Sequence, residues 1–430
     1  MESNASNFEL TGLAHIFRAL KHRNYRFFFI GQSISLIGTW MQQIAMSWLV
    51  YRLTNSAFLL GLVVFFGQIP AFILMPFAGV IADRHNRRNI LVITQSLAML
   101  QAFILSALVL TNRIEVWQII ILSMFLGLVN SLDMPVRQAF TVEMIENRED
   151  LGNAIALNSS MVNAARLIGP SVAGIVIAAL GEGLCFLLNA VSYIAVIVSL
   201  AAMKIERKKT AAAHPHVLRG LKEGFVYAFN FIPIRYILIL LGLVSLTGMP
   251  YQVLMPVFAR DIFHGGPATL GFLTAMAGIG ALIGAFYLAG RKSVIGLIKI
   301  IALTAGVFGL GLIIFAQSRT LWFAMLIICI SGFAMMVQMA SSNTILQTIV
   351  EEHMRGRVMS FYTMAFMGMA PFGGLMAGSL ASKIGAPKTL ILGGICCVLG
   401  AFIFAGKLPL IKQRARPIYI KKGIIPEVTA

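Results

Sequence analysis

The residues best placed to do chemistry sit in a ten-residue stretch, Gly79-Val80-Ile81-Ala82-Asp83-Arg84-His85-Asn86-Arg87-Arg88. Gly79 lets a neighbouring helix approach closely. Asp83 can accept hydrogen bonds from backbone amides at a helix start, and Arg84, Arg87 and Arg88 can pair with it or hold the loop on one side of a membrane. An arginine-rich turn can be only a positive loop; the fixed Gly, Asp-Arg and Arg-Arg spacing argues for more than that. A second candidate is Arg166, which lies inside an apolar run. Counted from Asn153 it is 13 residues in, about 20 Å along a helix, deep within a bilayer. A buried guanidinium needs carbonyls, water or an anion, because a lone desolvated charge costs several kcal/mol. Two readings stand side by side: a cavity residue accepting anionic or electron-rich groups, or a structural arginine bonded to carbonyls ahead of Pro170.

A proton carrier is harder to find, since the 16 acids lie in tails, loops or span ends. Asp133, at the end of a span and near Arg137, is the nearest candidate for coupling, with a helix-end ion pair as the alternative. Gln32, Leu36, Thr39 and Gln43 share one helical face, and Ser159, Asn163, Arg166 and Pro170 share another. Both faces should line a polar cavity or join helices, because polar groups on lipid are costly. Gln68, Gln252, Gln338 and Tyr362 are further cavity candidates, with Trp40 and Phe65 available for stacking. The chain has no G-x-x-x-x-G-K-[ST] loop for ATP. Its seven histidines fall in expected loops or tails, and its four cysteines sit in apolar stretches without metal-knuckle spacing. No metal, cofactor or enzymatic activity is therefore expected.

These residues must be held by membrane-spanning helices. Hydrophobic residues make up 58% of the 430, charged residues only 12%, and mean hydropathy is +0.86, which excludes a water-soluble globular fold. Apolar runs occur near 26–50, 58–81, 90–110, 116–132, 153–180, 184–203, 234–258, 269–289, 297–316, 321–341, 358–382 and 389–406. Each is long enough for a span of roughly 20 residues or close to it. Twelve spans put both termini on one side, and 27 Lys and Arg fall on that side against 6 opposite. The bias makes the termini cytoplasmic, so the net charge of +18 reflects topology rather than a nucleic-acid partner. The first 24 residues show no cleavable leader.

The expected organisation is a cytoplasmic tail over 1–25 with an interfacial helix marked by Leu10, Leu13, Phe17 and Leu20. A six-helix bundle over 26–203, a linker over 204–233, a second bundle over 234–406 and a basic tail over 407–430 follow. Leu218, Leu221, Phe225 and Phe229 give the linker its own amphipathic face. A weak repeat relates the halves: the stretch entering the fifth span, with Gly169 and Pro170, is echoed in the eleventh by Ala370 and Pro371. Repeated bundles around a shared site are how rocking transporters are built.

The 79–88 stretch fills every fixed position of the G-x-x-x-D-R-x-x-R-R pattern and so resembles the major facilitator superfamily. The resemblance implies a cytoplasmic latch at Gly79, Asp83, Arg84, Arg87 and Arg88. The matching place after span eight is degenerate, with Gly284, Leu288 where Asp would stand, Arg291 and Lys292. The stretches GTWMQQIAMSWLVYRLTNSAFLLGLV, DMPVRQAF, NAIALNSSMVNAARLIGPSVAG and RGRVMSFYTMAFMGMAP are similar to the branch with the enterobactin exporter and macrolide efflux proteins. Over residues 15–405 that likeness implies export of bulky amphipathic compounds, usually by proton antiport. Gly169, Pro170 and Gly174 match part of the antiporter motif, while Ala165 and Ala173 replace two of its glycines. The expectation is a twelve-helix, two-bundle secondary transporter of the inner membrane, a monomer working with a small-molecule substrate, the lipid bilayer and a proton or other ion gradient. An importer or uncoupled facilitator, and a non-transporting receptor or scaffold, are the alternatives.

Overall fold

The computed structural model describes residues 17–425 apart from Glu146, 204–216 and Lys292; the side chains of 75–84, Arg148 and 217–221 also lie outside the described residues. Leu10, Leu13, Leu218 and Leu221 of the two expected amphipathic faces are among those left out. Every regular element described is helical, as a chain in lipid requires, since a helix satisfies its own backbone. After a 3-10 turn, Arg18–Lys21, come α1 (Arg23–Thr54), α2 (Ala57–Arg84), α3 (Arg87–Leu110), α4 (Val116–Glu143), α5 (Leu151–Leu180) and α6 (Glu182–Ala202). Then follow α7 (Val217–Asn230), α8 (Ile232–Thr247), α9 (Tyr251–Val257), α10 (Pro267–Ala289), α11 (Leu297–Gln317), α12 (Leu321–Ile349), α13 (Arg355–Thr363), α14 (Ala370–Ile384), α15 (Ala386–Gly406) and α16 (Leu408–Lys421).

Among the described residues eleven segments are long and apolar enough to cross a membrane. Helix α1, at 32 residues, is long enough but falls below that hydropathy because Gln32, Gln42 and Gln43 interrupt its apolar run. Helices overrun several apolar runs: α4 continues from 132 to Glu143 and α12 from 341 to Ile349. A hydropathy window closes at the first polar cluster, whereas backbone hydrogen bonding continues through it. The seventh and eleventh spans are broken. The seventh divides at Gly248–Pro250 into α8 and α9, and π turns Phe258–Ile262 and Met364–Gly368 follow α9 and α13. A π turn reopens the ladder next to a proline that cannot donate, and Pro371 stands three residues beyond the second one.

The chain parts into two compact units, Met1–Leu49 with Phe66–Ala213, and Val50–Phe65 with His214–Ala430. Helices α1 and α2 thus contribute to both, their shared turn belonging to the second unit. In the first unit Tyr25, Phe28, Leu91, Phe140, Leu157 and Tyr193 form a buried cluster. In the second, Tyr251 meets Phe308 at 6.0 Å and Phe258 meets Phe315 at 4.9 Å between ring centroids. Each unit ends a corresponding pair of helices on a left-handed glycine, Gly181 at φ 82° between α5 and α6 and Gly385 at φ 88° between α14 and α15. A side chain is disfavoured there, so the repeat in sequence extends to its turns.

Candidate functional site

Sequence reasoning places Asp133 at the end of a span closing at 132. Helix α4 instead runs ten residues past it to Glu143, about 15 Å. Asp133 is only 3% exposed, well inside the helix. One carboxylate oxygen accepts hydrogen bonds from Thr94 Oγ1 at 2.8 Å and Gln95 Nε2 at 2.7 Å; the other lies 3.5 Å from Arg137 Nη2. Pro135 is accommodated within the same helix. Two hydrogen-bond donors and an arginine thus surround a buried carboxylate in the first unit.

Arg166 lies 15 residues into α5. Its guanidinium carbon stands over the Trp40 ring, 5.6 Å from the centroid, and among the described residues no carboxylate is recorded within ion-pair distance of it. The contact is available because α1 and α5 touch closely: a Cβ placed on Gly169 would lie 2.5 Å from Trp40 Cβ and 3.0 Å from the Ile37 carbonyl. The motif glycine thereby acquires a packing reason, which its neighbours Pro170 and Gly174, both buried, share. Asn163 donates to the Ser159 carbonyl at 2.9 Å and Thr39 to that of Ser35 at 2.9 Å. Each side chain thus makes a hydrogen bond within its own helix. Gln32 is 3% exposed, whereas Gln43 is exposed.

The neighbouring Gln42 makes the buried network that the face reading misses. Asn189 Nδ2 donates to Gln42 Oε1 at 2.7 Å, and Gln42 Nε2 donates to Gln101 Oε1 at 3.0 Å, joining α6, α1 and α3. Adjacent residues are turned about 100° apart on a helix. With partners 59 and 147 positions away, no local pattern distinguishes Gln42 from Gln43.

Of the latch residues, Gly79, Asp83 and Arg84 have side chains outside the described residues. Asn86 caps α3 through the Arg88 and Asn89 amides. Arg87 pairs with Glu143 at 2.7 Å, and Arg88 donates to the Leu200 and Ala201 carbonyls at 2.7 and 2.6 Å. The two arginines therefore tie the start of α3 to the ends of α4 and α6. At the degenerate second copy Arg291 closes its own turn, donating to Tyr287 Oη and the Ile295 carbonyl.

An anchoring cluster not read from the sequence lies at Asp150, 1% exposed. Its carboxylate binds Arg18, Lys21 at 2.7 Å and His22 at 2.8 Å, while the Ala19 amide donates to Asn153. Hydrogen bonds from Lys21 and then His22 hold its pKa below the ordinary carboxylate value.

The second unit has polar residues of its own. Gln338 is 1% exposed, and its Nε2, like the Ser341 hydroxyl, has no hydrogen-bond partner among the described residues. Tyr362 donates to the Met339 carbonyl at 3.2 Å, bringing α13 against α12. Gln252 reaches only Tyr251 Oη, at 3.4 Å. At the turn between α1 and α2, Tyr51 donates to the Asp261 carboxylate, and Arg260 donates to Asn55 Oδ1 at 2.6 Å while standing over the Tyr51 ring. Below them α2 and α14 meet backbone to backbone. A Cβ on Gly61 would lie 2.5 Å from the Gly374 carbonyl, and one on Gly378 would lie 2.6 Å from that of Ala57. Phe65 closes the seam against Phe372.

A buried carboxylate, a cation on an indole and breaks in two spans suit transport within a helical bundle, and the comparisons with known proteins agree. The transmembrane secretion effector family of the major facilitator type matches residues 14–418. The chain belongs to that family. It is similar to the staphyloferrin A transporter of Staphylococcus aureus (strain NCTC 8325 / PS 47), 28% identical over 391 residues, covering 89% of this chain and 96% of that protein. The macrolide efflux protein A of Streptococcus pyogenes is 22% identical over 396 residues, 88% and 96% of the two chains. The fold superposes with a TM-score of 0.73 on an inward-facing, unoccupied bacterial homologue of the human lysosomal transporter Spinster. That match has 12% identity and covers 92% of this chain and 98% of the other. The chain is a multi-pass secondary transporter of small molecules with the major facilitator fold.

Proposed function

We propose that the protein exports bulky amphipathic compounds carrying anionic or electron-rich groups, by proton antiport through alternating access. In this reading it sits in the inner membrane with both termini cytoplasmic. The observation that carries the reading is Arg166, a cation deep in α5 held on an aromatic face rather than by an acid. Unlike an arginine already paired with a carboxylate, it retains donors for a ligand. Trp40 supplies the apolar surface such a ligand also needs. Gln32, Thr39, Gln43 and Asn163 supply polar groups on the same two helices, and Gln252, Gln338 and Tyr362 do so in the second unit. Asp133 carries the coupling proton, with Arg137 setting its charge balance. Gly79, Asp83, Arg84, Arg87 and Arg88 act as the cytoplasmic latch. The Tyr51–Asp261 and Arg260–Asn55 contacts act as its counterpart at the opposite end of the helices.

Export from the cell follows the direction printed in the name of the macrolide relative and the partial antiporter motif Gly169, Pro170 and Gly174. The test is uptake into inside-out vesicles of a panel of anionic and neutral amphipathic compounds. An imposed pH gradient should drive uptake of anionic members, and collapsing it should stop uptake. Uptake unaffected by the gradient would remove proton coupling; equal handling of all compounds by wild type and Arg166→Gln would remove the substrate role.

A further inference from the structure

Helix α16 is fixed to the second unit by one face: Ile411 and Ala415 are fully buried and Tyr419 is 9% exposed. This i, i+4, i+8 spacing is that of a helix docked along its length. Burial pushes the Tyr419 hydroxyl up to about 12. The charged residues of the helix and its flanks are all basic. Lys407, Lys412, Arg414, Arg416, Lys421 and Lys422 occur with no Asp or Glu between 407 and 426, and among the described residues none of the six is in an ion pair. Lys422 donates to the Thr348 carbonyl at 2.7 Å; the others are exposed.

Beside the docked face Pro409, Lys412, Gln413, Arg416, Pro417 and Ile420 line a shallow groove of about 420 Å³. Lys412 also stands next to Lys299 of α11, and desolvation and the neighbouring ammonium both lower its pKa. Two ammonium groups held side by side by a docked helix repel each other, and an anion placed against both is attracted by each. The groove mixes Lys412 and Arg416 with prolines and isoleucine, so an anion that carries apolar matter suits it better than a free ion. The helix follows the last span after a single residue, Lys407, which puts it at headgroup depth.

We propose that Lys299, Lys412 and Arg416 form a binding site for the phosphate of an anionic phospholipid, its acyl chains passing over the apolar part of the groove. The proposal rests on the membrane-spanning reading but not on proton coupling or substrate class, and its readout is lipid affinity rather than flux.

The experiment uses the full-length protein in nanodiscs of phosphatidylcholine, with and without phosphatidylglycerol, and in phosphatidylcholine discs with inorganic phosphate added. Phosphatidylglycerol should raise the Tm of wild type, and phosphate should not. Each cation near an anionic surface changes affinity about fivefold, so Lys299→Gln with Lys412→Gln should weaken phosphatidylglycerol binding about 25-fold. Lys412→Arg should retain it. In pure phosphatidylcholine the sign reverses: the double variant, relieved of its like-charge contact, should be at least as stable as wild type. A scaffolding lysine would show no such crossover. Equal Tm in both lipids, a full phosphatidylglycerol response in the double variant, or a matching response to free phosphate would each overturn the proposal.

Discussion

Tyr51→Phe isolates one atom of the contact between the α1–α2 turn and the π turn after α9. The ring remains beneath Arg260 and stays buried, and only the hydroxyl donated to Asp261 is lost. A hydrogen bond to a charged group contributes about 1.5–3 kcal/mol. Asp261 is exposed, so water replaces the hydroxyl readily once it is gone, and solvent screening brings the contribution down to about 1–1.5 kcal/mol. At about 1.4 kcal/mol per factor of ten, the population in which residues 50–65 have lifted from α9 and α14 should rise roughly five- to tenfold. The glycine seam and the Phe65–Phe372 contact remain in the variant, so the increase is a shift of equilibrium rather than loss of the fold. Ala57 reports it, because its backbone abuts Gly378 and its side chain is only 9% exposed. With Cys185, Cys329, Cys396 and Cys397 replaced, Ala57→Cys should react with a membrane-impermeant maleimide about five to ten times faster in the Tyr51→Phe background. An unchanged labelling rate would show that the Tyr51 hydroxyl does not hold this segment and would refute the latch.

Asp133→Asn keeps an acceptor for Thr94 and Gln95 but removes the titrating group. Gradient-driven uptake into inside-out vesicles should fall to background while binding of the same compound, measured by tryptophan fluorescence, persists; uptake at the wild-type rate would exclude Asp133 as the proton carrier. Arg166→Gln should weaken binding of anionic compounds about 10- to 100-fold, the loss of a charged hydrogen bond of about 1.5–3 kcal/mol. Neutral analogues should change little, and isothermal titration across a matched pair of compounds checks the difference. Asp150 has a lowered pKa, so its contribution to stability is present above the ordinary carboxylate value and disappears as pH falls through the lower folded value. The Tm gap between wild type and Asp150→Asn should be constant around neutrality and close only below about pH 4; a gap closing near pH 6 would assign it to His22 instead.

Hydropathy carried the helical architecture, and it did so because lipid leaves the backbone no alternative to helices. The helix ends were less legible for the same reason. The apolar run that stops at 132 put Asp133 at the end of a span, yet α4 continues to Glu143, and the same aspartate is a buried group beside Thr94, Gln95 and Arg137. Motif spacing located the Arg87 and Arg88 clamp, but its partners, Glu143 and the carbonyls at the end of α6, lie 56 and about 112 positions away. The Asp150 cluster and the Tyr51–Asp261 contact, spanning 128 and 210 positions, had no local sign. A polar residue in a loop reads alike whether it faces water or a partner.

The polar residues within spans expose the deeper limit. In a soluble helix an apolar stripe reveals the buried face, since water contrasts with core. In lipid both the packed side and the outer side favour apolar residues, and only polar groups report direction. That report is ambiguous by one residue. Gln43 is exposed, whereas Gln42 is buried between Gln101 and Asn189, and either could have faced a neighbouring helix. Arg166 escapes the ambiguity because a guanidinium costs too much to leave against hydrocarbon. Its charge required a contact, and the aromatic face it found is Trp40, brought within reach by the missing side chain at Gly169. Mutating that glycine therefore tests the same arrangement from its packing side. Gly169→Val forces α1 from α5 at a cost of about 1–3 kcal/mol and should weaken anionic compounds as Arg166→Gln does, although no group that could touch a ligand has been removed. Loss of anion selectivity in Gly169→Val with normal expression would tie selectivity to helix spacing. Retention of full selectivity would show that Arg166 recognises its ligand without Trp40.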